Sequence, residues 1–348
     1  MTLPAPDLSD SALLRVVSGI RPCRRGGVRI EAETLASKTV IHNYGQGGCG
    51  VTISLGCAQL AADLLLSALN LPLPPGGEGR GEGAPSSSGS SLPPVAVLGA
   101  GVVGLTTARE LLSRGHPVTV YASKFATDTT SNIAGAIWLP TGVEFGDTPD
   151  KVARFHDILR RSHDAFARLD RRQWGVDRLP VYEPAYAPHE DRFYDNGTID
   201  PPELLERLPL AGPPRAGRVF HTDFIHTPRF LRALYDDIRQ RGGRFVERAF
   251  NARDQLDALA EPVLVNCLAL GSRELFDDHA MYPARGVLVH MKPQPLGYIV
   301  HDGYKYMFPR EDALVLGGCF DAGVDDPTPP EHTVREILEH HRRFFARV

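Results

Sequence analysis

The sequence predicts an α/β fold built on a parallel sheet, and three observations carry that expectation. "VAVLGAGVVGLTTARELLSRG", residues 95–115, reads as an apolar strand, a glycine turn and a helix, and "PVTVYA", residues 117–122, follows as a second strand. A strand, a helix and a strand in that order form a βαβ unit, whose two strands lie parallel. "PVLVNCLAL", residues 262–270, is a continuous apolar run of the kind that forms a strand buried on both faces.

The remaining elements follow from local signals. Gly115 stops the first helix. Residues 151–172 read as an amphipathic helix and residues 229–241 as another after Pro228. In "TPPEHTVREILEHHRRFFARV" the spacing of Thr328 and Glu331 predicts a capping box with Pro329 at the first helical position. Val334, Ile337, Leu338, His341 and Phe345 then share one face. That face needs a cover, and the strand-like "SALLRVVSGIRP", residues 11–22, is the natural one.

With 348 residues, 42% hydrophobic and 23% charged, the chain is globular and long enough for two domains or one split domain. A net charge of -4 and a pI near 6.4 give no concentrated basic surface, so no nucleic-acid partner is expected. No run of about 18 apolar residues spans a bilayer, and "MTLPAPDLSD" has neither a positive nor an apolar leader region, so no membrane partner is expected either. Five cysteines without a C-x-x-C pair read as reduced thiols, and the terminal "ARV" is not a peroxisomal address. A cytoplasmic protein is the expectation. The thirteen histidines show no metal-ligand spacing. "LPLPPGGEGRGEGAPSSSGSSLPP", residues 71–94, is too rich in Pro, Gly and Ser to bury a core and reads as a tether with a reach of about 25 to 30 Å.

Gly99, Ala100, Gly101, Val102, Val103 and Gly104 form G-x-G-x-x-G between a strand and a helix. Gly99 permits the tight turn, Gly101 admits a pyrophosphate to the backbone, and Gly104 lets helix and strand close up. The motif does not separate flavin from nicotinamide. The acid that would bind a ribose at the end of the second strand is missing, with Ser123 and Lys124 in its place. A second glycine turn, "IHNYGQGGCGVTISLGC" at residues 41–57, runs into an apolar helix well ahead of the first.

Six segments together resemble the D-amino-acid oxidase family of flavoenzymes, which includes D-aspartate oxidase. They are "GAGVVGLTTA", "VYASKFATDTTSNIAGAIWLP", "VNCLALGSREL", "YKYMFP" with "LVLGGCF", "GIRPCRRGG" and "HNYGQGGCGVT". The last two lie near the C-terminus in the family and near the N-terminus here. The resemblance therefore implies a circularly permuted order of a Rossmann-like FAD-binding domain plus an antiparallel-sheet substrate domain. Residues 1–70 would be the last strand, glycine turn and helix of the FAD-binding domain, 71–94 the linker, and 95–138 its βαβ part. Residues 139–228 and 276–348 would form the substrate domain, and 229–275 the middle of the FAD-binding domain. Met1 and Val348 would then lie close together.

By the same resemblance Arg21 captures a substrate carboxylate, Tyr306 donates its hydroxyl to it, Tyr304 loosely replaces a second family tyrosine, and the Gly48 carbonyl accepts from the amine. FAD would be held by Gly99–Gly104, Ser123, Lys124, Thr129, Thr130, Ser131, Gly135, Ala136 and Ile137, by Ala249 and Phe250 on a strand, by Leu268, and by Gly47, Gly48, Cys49, Gly50, Val51 and Thr52 at the flavin ring. Leu268 and Ala269 stand where the family usually has Thr and Gly. The implied reaction is oxidation of a D-amino acid by hydride transfer from Cα to flavin N5, with molecular oxygen as acceptor and a 2-oxo acid, ammonia and hydrogen peroxide as products. Ile137, Leu139, Ile299 and Phe308 would line an apolar side-chain pocket, with Lys305 or Arg310 the only cations for an acidic substrate. Neutral or hydrophobic D-amino acids are therefore favoured. D-aspartate oxidation, an NAD-dependent dehydrogenase and a silent flavin-binding protein stay open as alternatives, as does a homodimer.

Overall fold

The computed structural model describes residues 2–72, 92–133, 135–185 and 196–346, so residues 73–91 of the tether lie outside the described residues. The chain begins with β1 (Leu13–Arg24), the hairpin of β2 (Arg29–Leu35) and β3 (Lys38–Tyr44), and α1 (Gly50–Ala68). Then come β4 (Val95–Leu98), α2 (Val102–Ser113) and β5 (Val118–Ala122), the expected βαβ unit, with Gly115 at φ +91° just past its helix. They are followed by β6 (Ala136–Ile137), α3 (Pro149–Ala167), α4 (Arg171–Trp174), β7 (Val176–Pro184), β8 (Glu203–Leu205) and β9 (Gly217–Ile225). The chain continues through α5 (Thr227–Gln240), β10 (Arg244–Glu247), α6 (Asp254–Asp257), β11 (Val263–Asn266) and α7 (Ser272–Leu275). It closes with β12 (Met281–Met291), β13 (Ile299–Asp302), β14 (Lys305–Pro309), β15 (Leu314–Gly317), β16 (Asp321–Ala322) and α8 (Glu331–Phe345).

One sheet has the order β10-β5-β4-β11-β3-β2 and is parallel except for the β2–β3 hairpin at its edge. Side chains alternate across its central strands, so both faces need cover. Val95, Val97, Val263 and Val265 join the core beside α1 and α2, while Ala96, Leu98 and Leu264 meet Leu256, Leu275 and Phe276 on the other face. Every residue of β4 and β11 is buried, which is why both read as unbroken apolar runs.

The other sheet runs β1-β12-β15-β14-β13-β7-β9-β6, with β16 added to β12 and β8 to β9. Its pairs are antiparallel apart from β13 with β7. Ile337, Phe344 and Phe345 of α8 cover one face against Val287, Val289, Met307 and Leu316, and Leu3, Leu8 and Val16 from the other end of the chain join that cluster.

Several expectations change. Residues 13–24 pair with β12 in the antiparallel sheet; only β2, β3 and α1 of residues 1–70 attach to the parallel one. Residues 149–167 form one helix and 171–174 a separate turn, with Asp170 accepting from the Gln173 N–H to start it. The capping box at Thr328 does not form, because the Thr328 N–H donates to Asp326 and α8 begins at Glu331 behind an extended Pro330. Ala249 and Phe250 follow β10 as irregular chain and do not extend it. Residues 47–68 are long and apolar enough to cross a membrane, with mean hydropathy 1.6, a run that the sequence reading missed because polar residues interrupt it. The segment is instead a core helix: α1 buries Ile53, Cys57, Ala61 and Leu65 against neighbouring elements.

The five cysteines form no disulfide, and burial pushes the Cys57 and Cys267 thiols up to about 12. Burial also pushes His341 down to about 4 from the usual 6.5, against the pull of the Ile337 and Tyr306 carbonyls beside its ring nitrogens. His290 is likewise near 4, through burial and then Arg310 and Arg15. A folded-state value below the unfolded one means that protonation favours unfolding. Stability is therefore complete above about pH 6.5, falls as pH drops toward 4, and is lost by on the order of 3 kcal/mol per histidine. A lowered urea midpoint at pH 4.5 relative to pH 7, recovered in part by His341→Gln, is the expected result.

Candidate active site

A cavity of about 280 Å³ opens over the antiparallel sheet where α1 and the segment 130–143 close on it. Arg21 on β1 and Tyr306 on β14 both line it, although β12 and β15 lie between their strands. At a strand spacing near 4.8 Å their backbones are about 14 Å apart, so both side chains must lie along the sheet to meet. Two glycines clear the way. A Cβ on Gly286 of β12 would sit 2.4 Å from Arg21 Nη1, and one on Gly317 of β15 would sit 2.2 Å from the Tyr306 ring.

The Arg21 guanidinium is anchored by Nη1, which donates to the carbonyls of Arg285 at 3.2 Å and Cys319 at 3.1 Å, and it lies 5.6 Å from the Phe320 ring centre. The Arg21 guanidinium acts on the Tyr306 hydroxyl across the cavity wall that both line. Burial pushes the phenol above its usual range and the adjacent cation only partly offsets this, so the hydroxyl keeps its proton and can donate. The Tyr306 ring stacks on Phe308 at 4.3 Å, and Phe308 in turn fills the space where a side chain at Gly135 would be, 2.2 Å from its Cβ position. Tyr304 is 53% exposed and stacks on Phe320 at the cavity rim, so it borders the site without sharing the Arg21–Tyr306 pair.

Gly317→Ala puts a methyl group into the phenol's place. It is expected to raise KM for the substrate by on the order of tenfold to a hundredfold through displacement of Tyr306, with flavin content unchanged; steady-state kinetics on the holoprotein check it.

Ile137, Leu139, Leu288 and Phe308 give the cavity its apolar wall. Ile299 does not reach it and belongs to the protein core. Lys305 donates to the Gly318 carbonyl and pairs with Glu336, while Arg310 is held by Asp312 and Thr227, so neither supplies a cation to the cavity. A further titratable group that lines it is His301, which the sequence reading did not single out. A signal was there: Asp302-Gly303 is a tight-turn dipeptide, and the resulting hairpin sets His301 opposite Tyr306.

The early glycine turn takes its place at the other side of the cavity. Residues 47–49 form a single 3-10 turn before α1, and the Gly48 N–H donates to the Gly142 carbonyl at 2.7 Å. Gly47, at φ +55°, could carry no side chain, since its Cβ would lie 2.4 Å from that same carbonyl. Gly48, Val51 and Thr52 reach the cavity, whereas Gly47, Cys49 and Gly50 stand behind it. The Thr52 hydroxyl bridges toward the Ile137 and Leu139 carbonyls, each at 3.3 Å, and ties the turn to the opposite wall.

The glycine turn at residues 99–104 lies beyond Thr130, which lines the cavity, and Ser131, whose Oγ accepts from the Val102 N–H at the start of α2. Ser131 therefore bridges toward α2, and Thr129, whose hydroxyl donates to the Ala126 carbonyl, does not line the cavity either. Gly99 holds φ +106°, and a Cβ on Gly104 would be 1.9 Å from the Gly99 carbonyl oxygen. At Gly101 a Cβ would meet only Ser131 Oγ, at 3.2 Å, so the backbone there is open to a ligand. Ser123 and Lys124 are exposed just past β5. Leu268 donates its N–H to Asn266, and Ala269 holds φ +55°, a left-handed geometry normally given to glycine. An open backbone at a helix start, linked by residues 129–131 to an apolar cavity, fits an extended dinucleotide with a pyrophosphate and a planar ring.

Residues 94–348 match the family model described as FAD dependent oxidoreductase (DAO). The chain belongs to this family of FAD-dependent oxidoreductases. It is 30% identical over 265 residues to a D-amino-acid oxidase of Streptomyces coelicolor, covering 68% of this chain and 73% of that one. It is 27% identical over 254 residues to a D-aspartate oxidase of Homo sapiens, covering 70% and 73%. Among solved structures, glycine oxidase from Bacillus cereus superposes with a TM-score of 0.56 at 18% identity, covering 72% of this chain and 80% of that one. L-alpha-glycerophosphate oxidase from Mycoplasma pneumoniae with FAD bound gives 0.54 at 15%, covering 73% and 78%. FAD is the cofactor, and the fold is that of FAD-dependent oxidoreductases.

Proposed function

We propose that this FAD-dependent oxidoreductase oxidises neutral D-amino acids to 2-oxo acids, releasing ammonia and hydrogen peroxide. The observation that carries this is the Arg21–Tyr306 pair, brought together from opposite ends of the chain across two glycine positions at the wall of an apolar cavity. The similarity to a D-amino-acid oxidase and a D-aspartate oxidase supports it.

Bound FAD supplies the two-electron acceptor. The rest of the task is positioning, which belongs to the chain's own residues. The planar Arg21 fork holds both oxygens of an α-carboxylate, and Tyr306 donates a further hydrogen bond to it. The Gly48 carbonyl takes the amine, and the side chain goes to the wall of Ile137, Leu139, Leu288 and Phe308. Three fixed substituents leave the Cα–H one direction, and the mirror-image amino acid must break one of the three contacts. The amino acid loses two electrons and two protons to become an imino acid, which water converts to the 2-oxo acid and ammonia. With Lys305 and Arg310 turned to other partners, the cavity favours neutral substrates over D-aspartate.

The permuted order is part of the proposal. The family match begins at residue 94, yet Arg21, Gly48 and the strand beside β11 come from residues ahead of it. Met1 and Val348 lie outside the described residues, but near them Arg342 of α8 donates to the Leu8 carbonyl at 2.9 Å and pairs with Asp10. A chain that starts at residue 92, joins 346 to 2 through a short linker and ends at 72 is expected to fold and bind FAD as the parent does. Failure of that rearranged chain to fold would contradict the permuted order.

For the reaction, oxygen uptake with D-alanine is expected to yield hydrogen peroxide and ammonia in equal amounts, and none with L-alanine. Equal rates with the two enantiomers would contradict the assignment, and a D-aspartate rate matching that of D-alanine would contradict the neutral substrate class.

A further inference from the structure

His301 stands in a row of side chains directly opposite one another across four strands. Tyr306 on β14 pairs with His301 on β13, the parallel register that matches Val300 with Tyr182 brings His301 beside Glu183 on β7, and Glu183 pairs with Arg218 on β9. Side chains opposite each other across a ladder share a face, with Cβ atoms about 5 Å apart. The face that carries Tyr306 to the cavity therefore carries His301 as well, and both line it.

The row is built as a support for the imidazole. Arg218 Nε donates to Glu183 Oε2 at 2.6 Å, and Glu183 Oε1 lies 2.6 Å from His301 Nδ1. Glu183 is 3% exposed and His301 8%. Burial alone would raise the Glu183 carboxyl, but His301 and Arg218 outweigh it and hold it below the usual carboxylate range. The carboxylate is thus ionised and accepts the Nδ1 proton, which holds the ring in one orientation. Nε2 has no hydrogen-bond partner among the described residues. With Nδ1 turned to the Glu183 carboxylate, Nε2 is the ring nitrogen left to meet a ligand in the cavity that His301 lines.

We propose that His301 Nε2 hydrogen-bonds a polar group at the end of the substrate's side chain, so that D-amino acids with a terminal amide are taken in preference to apolar isosteres. This rests on the assignment of Arg21 and Tyr306 as the carboxylate clamp. With the α-carboxylate held beside Tyr306, a side chain two or three bonds long spans one strand spacing and ends at the neighbouring His301. Glu183 is a positioning residue that orients the ring, and Leu139, Leu288 and Phe308, which share the cavity wall with His301, carry no polar side-chain group.

D-asparagine and D-leucine have nearly the same shape, so their kcat/KM ratio on the holoprotein isolates the polar contact. The ratio is expected to exceed one, and to fall about tenfold or more in His301→Leu. His301→Asn is the second variant: its amide N–H can replace Nδ1–H toward Glu183, so the buried carboxylate stays paired while the atom at the Nε2 position is gone, and the ratio should fall equally. Glu183→Gln keeps an acceptor for the ring and should retain most of the preference. Binding of succinamate against 4-methylpentanoate, the same two shapes without the amine, is measured by titration calorimetry and needs no turnover. The amide is expected to bind more tightly to the parent, and that preference to drop about tenfold in either His301 variant. A parent that favours the apolar partner, or a preference unchanged by the substitutions, overturns the role of His301. A protein that oxidises no D-amino acid contradicts the proposed reaction, while the calorimetric comparison still decides the role of His301.

Discussion

Arg21→Leu is expected to lower kcat/KM for D-alanine by on the order of 10²–10³, the loss that follows when one side of a charged, hydrogen-bonded pair is removed. Most of it should appear in KM, because the guanidinium contacts the bound carboxylate before and during the reaction alike. The bound flavin should be unaffected, since Arg21 Nη1 is tied to the Arg285 and Cys319 carbonyls on the antiparallel sheet and not to the glycine turn before α2. Arg21→Lys keeps the charge but loses the planar fork, so it should recover only part of the activity. A steady-state comparison at fixed pH, with flavin content read from the visible absorbance, checks all three points. An Arg21→Leu protein with parental kinetics would leave the carboxylate without its proposed partner.

Gly104→Ala carries the other large effect. Its Cβ would sit 1.9 Å from the Gly99 carbonyl oxygen, and the contact is backbone on both sides, so α2 must move away from β4. Overpacking of this kind costs about 1–3 kcal/mol. It also dislodges the helix start that holds the cofactor, so the purified variant is expected to be colourless and to melt lower. Gly101→Ala separates the two consequences. Its Cβ meets only Ser131 Oγ at 3.2 Å, so the protein should fold normally and bind FAD more weakly. Equal FAD affinity in Gly101→Ala and the parent would show that the pyrophosphate does not approach that backbone.

The βαβ unit and the buried β11 were legible because burial on both faces writes an unbroken apolar run, and the turn glycines are forced by φ +106° at Gly99 and by close contact at Gly104. Arg21 and Tyr306 were legible only through the family segments around them, since nothing in "GIRP" alone separates a ligand-binding arginine from a surface one. Gly286 and Gly317 were invisible for a different reason. Their need for a bare backbone comes from side chains on the neighbouring strand, and that neighbourhood exists only once the sheet order is known. His301 escaped notice because its partners, Glu183 and Arg218, are more than eighty residues distant and meet it only across the sheet. The capping box at Thr328 was misread because Asp326 competes for the same N–H, a local rival that the spacing rule does not weigh.

Most directly at stake is whether residues encoded early and late close around one substrate at the flavin. The measurement is the visible spectrum of the purified holoprotein, recorded without oxygen before and after addition of D-alanine and then, in a separate cell, L-alanine. The flavin absorbance is expected to bleach with D-alanine and to return on admitting air, to stay unchanged with L-alanine, and to resist bleaching by D-alanine in Arg21→Leu at the same concentration. A yellow protein that no D-amino acid bleaches, or one that bleaches equally well without Arg21, would contradict it.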